Sequence, residues 1–190
     1  MIGSTEKEYE LLRDEISEWQ NRRFTLVGVS ITVVTALLGF SQIAGIKVTW
    51  DFISSLLLFF LSVACWLTAY CGIANVKIGT YLQAFHEGHE SSFHWESRNS
   101  QFSKVGQKYG NLNQYLGAVY LVLAMLSLLA PPLMFKPTQS SLFPVLFVTL
   151  MFGAFIASLV WLYKSQGRRD EFLKRWLEVK KQESQNESAA

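Results

Sequence analysis

The stretch that decides the fold is Phe52–Val76, FISSLLLFFLSVACWLTAYCGIANV, which contains no charged residue. A membrane-spanning helix needs about 20 mainly apolar residues to cross roughly 30 Å of hydrocarbon. A buried helix of a soluble protein usually carries a shorter apolar run, of about 10 to 14 residues. The length of this stretch therefore predicts a transmembrane helix.

Three further stretches share its character, namely Phe24–Ile46, Tyr115–Phe135 and Leu142–Tyr163. Charged residues make up 17% of the 190 residues, below the roughly 25% of an average soluble domain. This pattern argues against a soluble enzyme, a nucleic-acid-binding domain and a disordered chain. We predict an all-α integral membrane protein with four transmembrane helices in two hairpins, 24–76 and 114–163.

The positive charges predict the orientation of these hairpins. Fifteen of the 17 Lys and Arg residues lie in the N-terminal, central and C-terminal segments, and the two short turns hold only Lys47 and Lys136. Cytoplasmic loops carry an excess of Lys and Arg. We therefore expect both termini and the central segment 77–113 to be cytoplasmic. No signal-peptide cleavage pattern precedes the first span, so we expect that span to remain in the mature protein.

The N-terminal segment 1–23 reads as an amphipathic helix. Its apolar residues recur at spacings of three and four, which places them on one narrow stripe: Tyr9, Leu12, Ile16 and Trp19. Three interpretations fit the stripe. It packs on the protein's own cytoplasmic segment, it forms a coiled-coil seam between protomers, or it lies on a lipid surface, which its acidic residues disfavour.

The remaining cytoplasmic pieces are a connector and a basic helix. Segment 77–113 begins by continuing the second helix and then becomes polar. Segment 164–181 reads as a basic amphipathic helix whose apolar side includes Phe172 and Trp176. Residues 182–190 have the composition of a disordered tail. The two apolar stripes are candidate contacts for a second copy or for a cytoplasmic protein partner.

The four spans contain no Asp, Glu, Lys, Arg or His. Such groups inside a bilayer usually mark proton relays, ion coupling and voltage sensing. We therefore do not expect a pump, a voltage sensor or an intramembrane protease. No nucleotide-binding or hydrolase motif is present, so we expect no enzyme activity and no cofactor.

Uncharged polar residues in the first span include Ser30, Thr32 and Gln42. They either line a pore or bond across helices. Membrane Ser and Thr commonly donate instead to the carbonyl four residues earlier.

Small residues form a second set in the spans, with Gly28 and Gly39, the row Ala64–Thr68–Gly72, and Gly153 with Ala157. Such rows let helices approach closely. They serve intrachain packing or oligomerisation equally well.

The central segment holds one metal-like cluster, His86, His89 and His94. His86 and His89, three residues apart, would share a helix face. With His94 as a third ligand, the set would resemble a zinc site. The other interpretation is three surface histidines beside acidic residues. An enzyme built on these histidines is a further hypothesis for the function, beside the two given below.

The N-terminal motif Tyr9-Glu10-Leu11-Leu12-Arg13-Asp14-Glu15-Ile16, running through Asn21-Arg22-Arg23 into a span, resembles a recurrent pattern of small bacterial membrane proteins. The architecture of about the first 75 residues is similar to the SLATT-type effectors of prokaryotic antiviral systems. The resemblance implies a protein that oligomerises and disrupts the inner membrane when a nucleotide signal or a sensor protein is engaged.

Two functions follow as hypotheses. The first is a homo-oligomeric inner-membrane pore or permeabilising effector that is gated through its cytoplasmic helices. The alternative is a non-conducting membrane anchor or accessory subunit that docks a soluble partner. The expected partners are the lipid bilayer, further copies of the chain and a cytoplasmic protein, and we expect no nucleic-acid binding.

Overall fold

The computed structural model describes residues 2–43, 49–87, 112–134 and 142–189, and all regular structure within these ranges is helical. The elements are α1 (Ile2–Ile43), α2 (Trp50–Phe85), α3 (Leu112–Met134), α4 (Leu142–Lys164), a 3₁₀ turn (Ser165–Arg168) and α5 (Arg169–Ala189). This confirms the predicted all-α class.

Helices α1 to α4 are each long and apolar enough to cross a membrane, and they correspond to the four charge-free stretches. Helices α3 and α4 have 23 residues each, which gives a length of about 35 Å. With 42 residues in α1 and 36 in α2, both long helices extend beyond the length that a single span requires.

The chain divides into two compact units. We call Met1–Arg22, Tyr70–Asn111 and Lys164–Ala190 the polar unit, and Arg23–Ala69 with Leu112–Tyr163 the apolar unit. The apolar unit contains the apolar half of α1, most of α2, and α3 and α4. The polar unit contains the charged N-terminal part of α1 and the C-terminal part of α2, together with α5.

The core of the apolar unit is organised around α2. In the 18-residue apolar stretch of α2, 61% of the stretch is buried. The corresponding shares are 39% in α3, 22% in α4 and 17% in α1. The α2 residues Leu57, Leu58 and Leu61 are fully buried and pack with Tyr120 of α3 and Phe155 of α4. Ala64 and Thr68 of the small-residue row are also buried here, and Gly72 is buried in the polar unit, so these small residues serve packing within the chain.

Hydroxyl groups join α2 to α3 inside this core. The hydroxyls of Thr68 and Tyr120 lie 2.8 Å apart, and Thr68 also donates to the carbonyl of Ala64 at 2.8 Å. A polar group inside apolar packing requires such partners, because an unmade hydrogen bond costs more than a made one stabilises. The hydroxyl pair therefore fixes the register between the two helices.

Arg23 is buried at the start of the apolar unit. Its guanidinium donates to the side-chain carbonyl of Asn113, at the start of α3. The Asn113 amide in turn donates to the carbonyl of Leu162, near the end of α4, at 2.8 Å. This chain of hydrogen bonds links three helices through one side chain, and a buried cation needs such partners.

Helix α5 continues to Ala189, through the segment 182–190 that its composition predicts to be disordered. The sequence after Lys181 contains neither Gly nor Pro, the two residues that disfavour a helix interior most strongly. Gln and Glu are good helix formers, so an existing helix propagates through this stretch more easily than a new one would start.

We expect Leu61→Ala to lower the free energy of unfolding in detergent by about 2 to 5 kcal/mol, because it leaves a cavity at a fully packed position. Leu61 is 0% exposed. The matched control is Leu56→Ala on the same helix, where the side chain is 42% exposed. The control should shift stability by no more than about 0.5 kcal/mol. Equal losses for both variants would contradict the burial pattern of α2.

Candidate functional site

The polar unit contains a groove of about 510 Å³ between α1, α2 and α5. Helix α1 contributes one wall, α2 contributes the other, and α5 contributes a single side chain. The lining residues are Glu8, Leu12, Glu15, Trp19, Tyr70, Ile73, Ala74, Lys77, Ile78, Tyr81 and Trp176. The groove therefore combines apolar and aromatic walls with three charged side chains, Glu8, Glu15 and Lys77.

The α1 wall is formed by Glu8, Leu12, Glu15 and Trp19. Their spacings of four, three and four residues place them on one helix face. Of the predicted stripe, Leu12 and Trp19 line the groove and Ile16 is half-buried.

Tyr9, the first residue of the stripe, is buried. Its ring lies 6.0 Å from that of His86 at the end of α2. Trp19, at the other end, meets Tyr70 of α2 edge-on at 6.1 Å. The stripe thus contacts α2, or the residue that directly follows it, near both of its ends.

Trp176 is the α5 side chain that lines the groove. Its ring meets Tyr81 edge-on at a centroid distance of 5.3 Å and Phe85 at 6.2 Å. Its indole N–H donates to the carbonyl of Lys77 at 3.3 Å. Phe172, the other candidate contact on α5, is half-buried.

Two further hydrogen bonds, from the first residue of α5 and from its middle, join this helix to the last turn of α2. Arg169 donates to the side chain of Gln83 at 3.2 Å, and the Lys180 ammonium donates to the carbonyl of Ala84 at 2.7 Å.

Each groove carboxylate is held by an aromatic donor. The indole N–H of Trp19 donates to Glu15 at 3.2 Å, and the hydroxyl of Tyr81 donates to Glu8 at 3.0 Å. Partial burial raises the pKa of Tyr81, and the hydrogen bond to Glu8 raises it further. The hydroxyl therefore remains protonated at neutral pH and keeps its role as a donor.

Two cationic side chains lie at this site. Lys77 lines the groove, whereas the guanidinium of Arg22 lies over the Trp19 ring, 4.7 Å from its centroid. Arg22 also forms an ion pair with Glu18 at 2.5 Å. Trp19 thus already makes a cation–π contact through one of its faces.

The three candidate metal ligands differ in what the structure describes of them. His86 is buried, and its ring is 3.8 Å from a Glu8 carboxylate oxygen. His89 and His94 lie outside the described residues. Within the described ranges, no group of three or more His, Cys, Asp or Glu side chains is arranged to hold a metal.

Two of the three candidate polar residues of the first span, Ser30 and Thr32, donate to their own helix. Ser30 is buried and donates to the carbonyl of Leu26 at 2.7 Å. Thr32 is exposed and donates to the carbonyl of Gly28 at 3.0 Å. Gln42 lies in α1, but its side chain is outside the described part of the chain.

Sequence reasoning missed Glu8 and Glu15 as site residues. They flank the apolar stripe, and acidic residues beside a stripe are typical of a solvated helix face. One feature of the sequence could have identified them. Glu8 and Glu15 are seven residues apart, about two helical turns, which is also the spacing from Leu12 to Trp19.

We expect Trp176→Ala to speed tryptic cleavage within α5 by about tenfold, because losing the aromatic contacts lets this helix open locally. The neighbouring Leu177→Ala is the matched control, since Leu177 is exposed and lies outside the groove. Its cleavage rate should equal that of the unmodified protein. An unchanged rate for Trp176→Ala would show that the aromatic cluster does not hold α5.

Comparison of the chain with protein-family models, with curated proteins and with solved structures found no match. Its function is therefore inferred from its own residues, above all from the groove of the polar unit and the exposed faces of the apolar unit.

Proposed function

We propose that helices α1 to α4 cross the bacterial inner membrane as two hairpins, with both termini and the central segment in the cytoplasm. Their length and hydropathy support this assignment, as does the excess of Lys and Arg in the segments assigned to the cytoplasm. The hydrogen bonds from Arg23 through Asn113 to Leu162 bring the start of α3 and the end of α4 together, as a hairpin requires.

We further propose that copies of the protein associate in the membrane through α1. The observation that carries this proposal is the open surface at Gly28 and Gly39, where an added Cβ would meet no atom within 4 Å. Both glycines belong to one exposed row with regular spacings of three and four, formed by Thr25, Gly28, Thr32, Thr35 and Gly39. Rows of Gly and Thr bring membrane helices into close contact.

The small residues of α2 provide the contrast. Ala64, Thr68 and Gly72 are buried within the chain, so intrachain packing already uses that row. The row on α1 makes no such contact at its glycines. Gly153 of α4 is similarly open. Small residues are therefore available on two helices for contacts between copies.

The proposed activity of the oligomer is conduction or permeabilisation of the membrane. Thr32 and Thr35 donate to carbonyls of their own helix, and their hydroxyl oxygens still accept hydrogen bonds. Where these hydroxyls are not covered by a neighbouring copy, they face water between helices, which suits a conducting path. The resemblance to SLATT-type effectors implies the same activity, with antiviral defence as its setting, and the polar unit would carry the control.

We expect Gly28→Leu combined with Gly39→Leu to weaken oligomerisation by about tenfold or more, equivalent to roughly 1.4 kcal/mol. The added side chains prevent close approach of a second helix. Native mass spectrometry of the protein in nanodiscs measures the oligomer, and dye release from liposomes measures permeabilisation. The oligomer fraction and the dye release should both fall in the double variant.

The matched control is Val29→Leu, which introduces the same residue at an exposed position of α1 outside the row. It should change neither signal. A monomeric unmodified protein that releases no dye would contradict the proposal.

The alternative is a non-conducting anchor that docks a soluble protein. Exposed apolar residues on α5, Leu177 and Val179, favour this second function because they offer a docking surface in the polar unit. A stable complex of one membrane chain with one soluble chain, and no larger particle, would support it.

A further inference from the structure

We propose that the groove of the polar unit binds a soluble organic cation, an ammonium group carried on a small apolar body. This binding site is independent of the proposed oligomer and of conduction.

The charge of the groove favours a cation. Glu8 and Glu15 line it against a single cationic lining residue, Lys77, and the nearby Arg22 is paired with Glu18. The two carboxylates are seven residues apart on α1, so they lie about 10 Å apart along the helix axis. That separation leaves room for a ligand body between them, with its positive charge attracted from both ends.

The aromatic walls favour an ammonium group in particular. Four of the lining residues are aromatic, namely Trp19, Tyr70, Tyr81 and Trp176. They meet edge to face in two pairs, Trp19 with Tyr70 and Tyr81 with Trp176. Aromatic faces attract cations, and clusters of them recognise alkylated ammonium groups. The guanidinium over Trp19 shows that one of these rings makes this contact within the protein.

The site is organised before any ligand arrives. The aromatic donors of Trp19 and Tyr81 already hold the two carboxylates, so binding need not order them, which reduces its entropic cost. Each carboxylate has a second oxygen that can face a cation. The volume of about 510 Å³ falls in the usual range for small-molecule pockets, roughly 300 to 1,000 Å³.

The test is calorimetric titration of choline into the full-length protein in an uncharged maltoside detergent. The comparison ligand is the carbon isostere of choline, in which a tert-butyl group replaces the trimethylammonium group. Choline should bind at least about tenfold more tightly than its isostere, because only choline gains from the rings and the carboxylates. Equal binding of the two ligands, or no binding of choline up to millimolar concentrations, would overturn the proposal.

Conservative variants test whether choline binds in the groove. Glu8→Gln and Glu15→Gln keep an oxygen that accepts from Tyr81 and Trp19, so the walls should stay in place. Each should weaken choline binding by about fivefold, and Lys77→Met should tighten it by a similar factor. The control is Glu10→Gln, an exposed α1 position outside the groove, which removes the same charge and should leave affinity unchanged. Equal effects of Glu10→Gln and Glu15→Gln would overturn the assignment.

A lipid headgroup is the competing source of the same chemistry. Choline binding is therefore repeated in nanodiscs of phosphatidylglycerol, with and without phosphatidylethanolamine, which carries an ammonium group. Unchanged affinity on adding that lipid supports a soluble ligand. Loss of choline binding when phosphatidylethanolamine is added would show that the lipid headgroup occupies the groove. That result would overturn the proposal of a soluble ligand. Neither result depends on oligomer size or dye release, so failure here is distinguishable from failure of the proposed pore.

Discussion

Burial of α2 is the constraint on which the apolar unit depends. Its Leu57, Leu58 and Leu61 are fully buried, and its hydroxyl at Thr68 joins Tyr120 of α3. Because α2 occupies the centre of the packing, the other three apolar helices bury a much smaller share of their surfaces. What they leave exposed is therefore the surface available to lipid or to a second copy of the chain.

Helix α1 illustrates how one helix carries two kinds of surface. In the polar unit, its carboxylates and Trp19 form a wall of the groove. In the apolar unit, its Gly and Thr row lies open. The helix is continuous from Ile2 to Ile43. Helix α1 thus contributes to the groove and to the glycine row through different residues.

The four long apolar helices were predictable because the absence of charge over more than 20 residues is a one-dimensional signal. The groove was not, because it depends on which residues of α1 face α2. Glu8 looks like a solvated residue until the hydroxyl of Tyr81, 73 positions later, is found to donate to it. The glycine rows were visible in the sequence, but only the cross-helix contacts show that Ala64 and Thr68 are buried while Gly28 is open.

The hydrogen bonds around Asn113 also set an order of assembly. Chains emerge from the ribosome with their N-terminal part first, so Arg23 is made long before Asn113, and Leu162 comes later still. An isolated cation in an apolar setting is costly, which favours keeping the Arg23 end of the nascent helix hydrated until α3 arrives. The Asn113 amide finds its acceptor only when the end of α4 has been synthesised. Closure of this three-helix junction is therefore a late step, which follows synthesis of the end of α4.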